Sequence, residues 1–204
     1  MKKRELEIIL ENLRGFESPK IQLEQYVTPP SLAAFIAVNA RLHGDLTTVF
    51  DLGCGTGVLA IATSLLGAYS VGFDIDWEAL KIAKKNALEV KADVDFVRAN
   101  IRRLETKVMG TVVMNPPFGI QKRHADRPFL KKAFEISKVV YTVHSAGSVD
   151  FVRKMALENG FRVTHVWIFS IPLRKTYSFH EKAFKYIPVE VFRIERYENC
   201  NAGR

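Results

Sequence analysis

The sequence predicts an α/β fold: a mostly parallel seven-stranded sheet with helices on both faces, closed by an antiparallel pair. Three observations predict it. From Thr47 onward, short β-branched runs alternate with helical periodicities. The last two strand-like runs have no crossover helix between them. A glycine-rich turn joins the first strand to the helix that follows. Strand–helix alternation is the pattern of an open parallel sheet, and neighbouring strands with no room for a crossover pair antiparallel.

Each element has its own signal. Leu6, Ile9, Leu10 and Leu13 recur at helical spacing, so residues 2–13 form an amphipathic helix. The mixed stretch from Arg14 to Val27 is a connecting arm. Thr28-Pro29-Pro30 supplies an N-cap and prolines that fit only a first turn, opening a helix that runs through Leu32–Leu42 and stops at Gly44. Strands follow at Thr47–Leu52, Tyr69–Asp74, Val94–Arg98, Thr111–Met114 and Val139–His144. Between them lie helices at Val58–Leu66, Trp77–Val90 (capped by Asp76) and Pro128–Lys138. A helix at Val149–Asn159 closes at Gly160, and Phe161–Ile171 and Val189–Tyr197 are the final strands.

The 204 residues suit one domain, with a helical N-terminal arm over about 1–45 and a basic-aromatic loop over about 172–187. Hydrophobic residues make up 48% and charged residues 25%, a globular balance. The net charge of +8 favours a polyanionic partner. Two cysteines, Cys54 and Cys200, exclude a disulfide framework and a four-cysteine zinc site and point to a reducing compartment. The uncharged run Leu52–Phe73 contains five glycines and reads as strand, turn, helix and strand rather than a membrane span. No signal-peptide pattern opens the chain, and a cytoplasmic protein is expected. No metal site is expected, because the five histidines are scattered without ligand spacing.

Chemistry concentrates at the carboxyl ends of the strands. In Asp51-Leu52-Gly53-Cys54-Gly55-Thr56-Gly57, glycine at every second position lets a ligand lie on bare main chain. The spacing departs from the G-x-G-x-x-G of dinucleotide sites, which disfavours a nicotinamide dehydrogenase. Asp74 lies about 20 residues on, where a carboxylate can take two ribose hydroxyls; Asp76 is read as the next helix's cap. Asn100, ending the third strand, is a candidate for an adenine amine.

Asn115-Pro116-Pro117-Phe118 follows the fourth strand. An amine on an aromatic ring is a poor nucleophile because its lone pair is delocalised. Two acceptors aimed at its hydrogens localise that pair: the Asn115 side-chain carbonyl and the Pro116 main-chain carbonyl, with Pro117 fixing Pro116 as extended. Phe118 offers a ring for a flipped base. A plain Asn-Pro turn is the structural alternative.

These residues resemble the adenine-N6 ribosomal RNA methyltransferases of the methyltransferase-like-protein-five group and their archaeal counterparts, over Leu23 to about Glu195. The likeness rests on Leu23-Glu24-Gln25-Tyr26-Val27-Thr28-Pro29, the glycine loop, Gly72-Phe73-Asp74-Ile75-Asp76, Val113-Met114-Asn115-Pro116-Pro117-Phe118-Gly119 and Tyr177-Ser178-Phe179-His180. It implies the class I methyltransferase fold, whose sheet ends in an antiparallel pair, and S-adenosylmethionine as cofactor. Implied cofactor contacts are Gln25, Thr28, Gly53, Gly55, Thr56, Val58, Asp74, Asn100 and Ile101, with Asn115 through Phe118 catalytic. Thr56 stands where eukaryotic members have cysteine, and Asn100 where aspartate is usual. Small-subunit ribosomal RNA is the implied substrate, and a small zinc-binding activator subunit the implied partner of eukaryotic relatives.

RNA contacts are expected from Lys122, Arg123 and Arg127, which follow the acceptor loop, and from Tyr177, Phe179 and His180 between the last strands. A DNA adenine or a protein glutamine amide also presents a planar amine to Asn115-Pro116-Pro117-Phe118. An RNA-binding assembly factor with a retained but silent pocket is the non-enzymatic alternative.

Overall fold

A computed structural model describes residues 1–174 and 184–197. The elements run α1 (Lys3–Glu11), α2 (Pro30–Leu42), β1 (Thr48–Leu52), α3 (Val58–Ser64), β2 (Tyr69–Asp74), α4 (Trp77–Glu89), β3 (Val94–Arg98), β4 (Gly110–Met114), α5 (Arg127–Ile136), β5 (Ser137–Ser145), α6 (Val149–Glu158), β6 (Phe161–Arg174) and β7 (Phe184–Arg196), with 3-10 turns at Ile21–Leu23 and Ile101–Arg103. The sheet order is β3-β2-β1-β4-β5-β7-β6. β1 to β5 pair in parallel, and β7 is antiparallel to both β5 and β6. This is the seven-stranded class I arrangement that the sequence predicts.

Strand periodicity divides the core into two layers. Val49 of β1, Val113 of β4 and Tyr141 and Val143 of β5 face a cluster built with α1, α2 and α3. Their neighbours Phe50, Leu52, Val112, Met114 and Val140 face the opposite cluster, built with α5 and α6. Helix α1 packs mainly on α2 and also touches α3, burying Leu6 and Leu10 completely or nearly so.

Several boundaries differ from the sequence reading, and three of the differences have a visible structural basis. The N-cap of α2 is Pro29, not Thr28, whose hydroxyl is engaged elsewhere. Helix α5 ends at Ile136, before Lys138, because the Ser137 hydroxyl donates to the Ala133 carbonyl (2.6 Å) and the chain turns directly into β5. Strands β6 and β7 pair as far as Arg174 and Phe184, so ladder replaces loop at both ends of the expected basic-aromatic segment.

Among the described residues no helix is long and apolar enough to cross a membrane. None of them group three or more histidine, cysteine, aspartate or glutamate side chains as a metal would require.

Candidate active site

In a sheet of this kind the ligand crevice opens at the carboxyl ends of the central strands, where the strand order reverses. Here that point lies between β1 and β4. The glycine loop leaves β1 and is strapped to β2 by Gly53 and Cys54, whose N–H groups both donate to the Phe73 carbonyl (2.8 and 3.0 Å). Gly55 has φ +54°, and a Cβ there would sit 2.8 Å from the Phe16 ring. A Cβ on Gly53 (φ +73°) would meet Phe129 at 2.9 Å. The loop is therefore covered by one aromatic ring from the N-terminal arm and another from α5, and only glycine permits both approaches.

Asp74 ends β2 beneath this loop. One carboxylate oxygen accepts from Gly55 N–H and the other from Asp76 N–H, each at 2.8 Å. Burial pushes its carboxyl above the ordinary range, against the pull of those two donors. Each oxygen keeps a lone pair for a further donor, which is what two ribose hydroxyls need. Asp76 caps α4 by accepting from Glu78 N–H (3.2 Å), as its position in the sequence predicts. It also accepts from Lys20 Nζ (2.6 Å) and Gln25 Nε2 (2.8 Å). Burial raises the Asp76 carboxyl, but those two donors outweigh it and hold the group below the usual carboxylate range.

Asp51 is the most deeply buried carboxyl group near the site, at 1% exposure. Oδ2 accepts from Ala60 N–H (3.0 Å), and Oδ1 has no partner. Burial pushes its carboxyl up to about 8.

The acceptor loop leaves β4 beside these groups. Asn115 is held from both ends: Tyr26 Oη donates to its Oδ1 (2.9 Å), and its Nδ2 donates to Thr28 Oγ1 (3.0 Å). The Glu24 carboxylate accepts from the N–H groups of Gly119 (3.0 Å) and Gln121 (2.8 Å), fixing the loop beyond Phe118.

A cavity of about 500 Å³ joins these pieces, within the size range of small-ligand sites. Every expected cofactor residue lines it: Gln25, Thr28, Gly53, Gly55, Thr56, Val58, Asp74, Asn100 and Ile101. Asn115, Pro116, Pro117 and Lys122 line it too. Bare glycine main chain on one wall, a buried carboxylate at depth and flanking aromatic rings fit a nucleoside with a short charged tail.

Other expected residues stand elsewhere. Phe118 is absent from the cavity wall and packs against Tyr26, ring centroids 5.3 Å apart. Arg123 does not line the cavity, and the Arg127 guanidinium lies 5.4 Å over the Phe151 ring on α6. Asn100 uses its side-chain oxygen to cap the 3-10 turn at Arg102 N–H (3.1 Å). Tyr177, Phe179 and His180 lie outside the described residues.

Sequence reasoning missed Phe16, Glu24, Tyr26, Phe129 and Arg102, all of which line the cavity. For Glu24 and Tyr26 a signal existed, since both fall inside the family-like motif from Leu23 to Pro29.

The methyltransferase small domain family matches residues 36–165. An uncharacterized protein of Methanocaldococcus jannaschii is 41% identical over 96% of this chain and 95% of its own length. The Drosophila melanogaster rRNA N(6)-adenosine-methyltransferase Mettl5 is 39% identical over 96% of this chain and 97% of its own. A Pyrococcus horikoshii protein of known crystal structure superposes with a TM-score of 0.88 at 41% identity, covering 96% of this chain and 98% of that one.

Proposed function

This chain belongs to the methyltransferase small domain family, among the relatives of the rRNA N(6)-adenosine-methyltransferases, and we propose that it methylates the N6 amine of an adenine in ribosomal RNA. S-adenosylmethionine supplies the methyl group as an activated sulfonium. The observation that carries the reading is the placement of Asn115, Pro116 and Pro117 on the same cavity wall system as the glycine loop and Asp74.

The residues divide the work as follows. The glycine loop and Asp74 hold the donor's nucleoside, with Thr56 and Val58 alongside. Asn115 Oδ1 and the Pro116 carbonyl accept the two amine hydrogens and so localise the nitrogen lone pair. Neither is a strong base, and neither has to be when the leaving sulfonium supplies the driving force; positioning and fixed dipoles lower the barrier. Phe118 reaches a flipped base only if the Tyr26–Phe118 pair opens towards the cavity. Lys122 and Arg123 are the RNA-facing cations in this reading, joined by Arg102 on the rim, while Arg127 is engaged over the Phe151 ring.

The finer reading takes small-subunit ribosomal RNA as the acceptor, a small zinc-binding activator subunit as a candidate partner and a cytoplasmic location; the family resemblance supports all three. The whole chain acts as one methyltransferase domain.

The test is methyl transfer from labelled S-adenosylmethionine to ribosomal RNA, DNA and protein fractions in parallel, followed by nucleoside analysis, with and without the activator. N6-methyladenine in small-subunit RNA is the expected product. Label in protein glutamine or DNA would reassign the acceptor, and an inactive protein that still binds RNA would favour an assembly factor. Asn115→Ala should lower turnover by about 100-fold or more with cofactor affinity nearly intact.

A further inference from the structure

Asn115 has an ambiguity that its own side chain cannot resolve. A primary amide presents either a carbonyl oxygen or an NH₂ group to the cavity, and the two differ by a half-turn about one bond. Only the oxygen can accept from a substrate amine. The reverse orientation sets NH₂ against NH₂ and leaves the reacting nitrogen without its acceptor.

Two hydroxyls bracket this amide: Tyr26 Oη on Oδ1 at 2.9 Å and Thr28 Oγ1 on Nδ2 at 3.0 Å. They are not equivalent. A phenol is the stronger donor and the weaker acceptor, because its oxygen lone pair is shared with the ring, whereas an aliphatic hydroxyl accepts well. The phenol therefore prefers the carbonyl end and the threonine the amide end, and together they select one of the two orientations. A carbonyl oxygen has two acceptor sites, so Tyr26 occupies one and leaves the other for the substrate.

The arm is built to deliver this pair. Tyr26 and Thr28, two residues apart, reach Asn115, while Gln25, immediately before Tyr26, reaches Asp76 at the start of α4. The Tyr26 ring is braced by Phe118, and the Glu24 carboxylate next to it grips Gly119 and Gln121. Burial, and Glu24 nearby, push the Tyr26 hydroxyl well above the phenol range, which keeps its proton in place.

We propose that Tyr26 and Thr28 are positioning residues that lock the Asn115 amide with its oxygen towards the substrate amine. The proposal rests on the reading of Asn115 as acceptor of that amine.

Tyr26→Phe tests it, since the ring that packs on Phe118 is retained and only the hydroxyl is lost. Turnover should fall about tenfold, the equivalent of one hydrogen bond, with KM for the cofactor and its dissociation constant changed less than about twofold. Thr28→Val should act in the same direction, and Thr28→Ser should restore turnover. A Tyr26→Phe enzyme with unchanged turnover overturns the proposal, as does a loss confined to cofactor KM.

A second readout needs no catalysis. The Asn115 side-chain amide protons, followed by NMR, should shift and exchange faster in Tyr26→Phe; unmoved signals overturn the lock. If the wild-type protein modifies no nucleic acid, the proposed function fails while this readout still decides the positioning role.

Discussion

Arg193 offers a perturbation whose cost can be worked from the geometry. Its guanidinium lies on β7 with 9% side-chain exposure and pairs with the Asp45 carboxylate, 8% exposed, just before β1. Nε donates to Asp45 Oδ2 at 2.9 Å and Nη2 to Oδ1 at 3.2 Å. Nη1 donates to Thr164 Oγ1 (3.0 Å) and Glu195 Oε2 (2.7 Å). Replacing Arg193 by Leu leaves the Asp45 carboxylate out of water with one remaining side-chain donor, the Tyr141 hydroxyl at 2.7 Å. Breaking a buried pair from one side costs about 3–5 kcal/mol. With a urea slope of about 2 kcal/mol/M, the unfolding midpoint should fall by about 2 M. Adding Asp45→Asn to Arg193→Leu should recover a large part of that loss, because the stranded charge is then gone. None of Asp45, Tyr141, Thr164, Arg193 or Glu195 lines the cavity, so cofactor affinity of the folded variant should not change. A single variant within about 1 kcal/mol of wild type, or a double variant showing simple additivity, would refute the reasoning.

Three further outcomes are expected. Asp51→Asn should be more stable than wild type, by a margin that depends on pH. A carboxyl raised to about 8 in the fold, against about 4 in the unfolded chain, contributes stability that is full below pH about 4 and lost as pH rises through about 8. Urea midpoints should therefore converge at low pH and separate towards pH 8, and a constant difference would contradict the burial argument. Gly55→Ala forces a Cβ to 2.8 Å from the Phe16 ring at φ +54°; thermal unfolding should show a loss of at least about 1–2 kcal/mol, and calorimetry a weakened cofactor site. Glu24→Gln should speed hydrogen exchange at the Gly119 and Gln121 amides by about tenfold, with no change if water already serves those groups.

Where hydrophobic period and turn chemistry are local, the sequence reading reached the structure. The alternation of Val49, Phe50 and Leu52 places β1 between two cores, and Asp76 was recognisable as a cap from its place before Trp77. The glycine-loop wall of the cavity was legible because glycine spacing and a strand-end carboxylate are constraints of neighbouring chain. The arm was not. Tyr26 meets Asn115 across 89 positions and Glu24 meets Gln121 across 97, and a mixed stretch with no period of its own gives no hint of such partners. Side-chain direction was equally invisible: Arg127 follows the acceptor loop closely in sequence yet turns onto Phe151, where a cation gains from the ring face. Nor does periodicity fix strand order, which depends on the path between elements rather than on their composition.

That order, with β7 lying between β5 and β6 although it follows both in the chain, has a consequence for how the molecule is made. While the polypeptide is emerging, β5 and β6 lack the native neighbour that lies between them, because their shared partner has not been synthesised. Each waits with an open edge, and the 13 residues of β7 must slot into the gap as a single late insertion. Closing non-local pairings of this kind is slow and leaves unpaired strand edges exposed meanwhile. The sheet therefore has a keystone, and a chain interrupted before Phe184 would lose both antiparallel-paired strands, β7 and the β6 that pairs with it, rather than one edge strand.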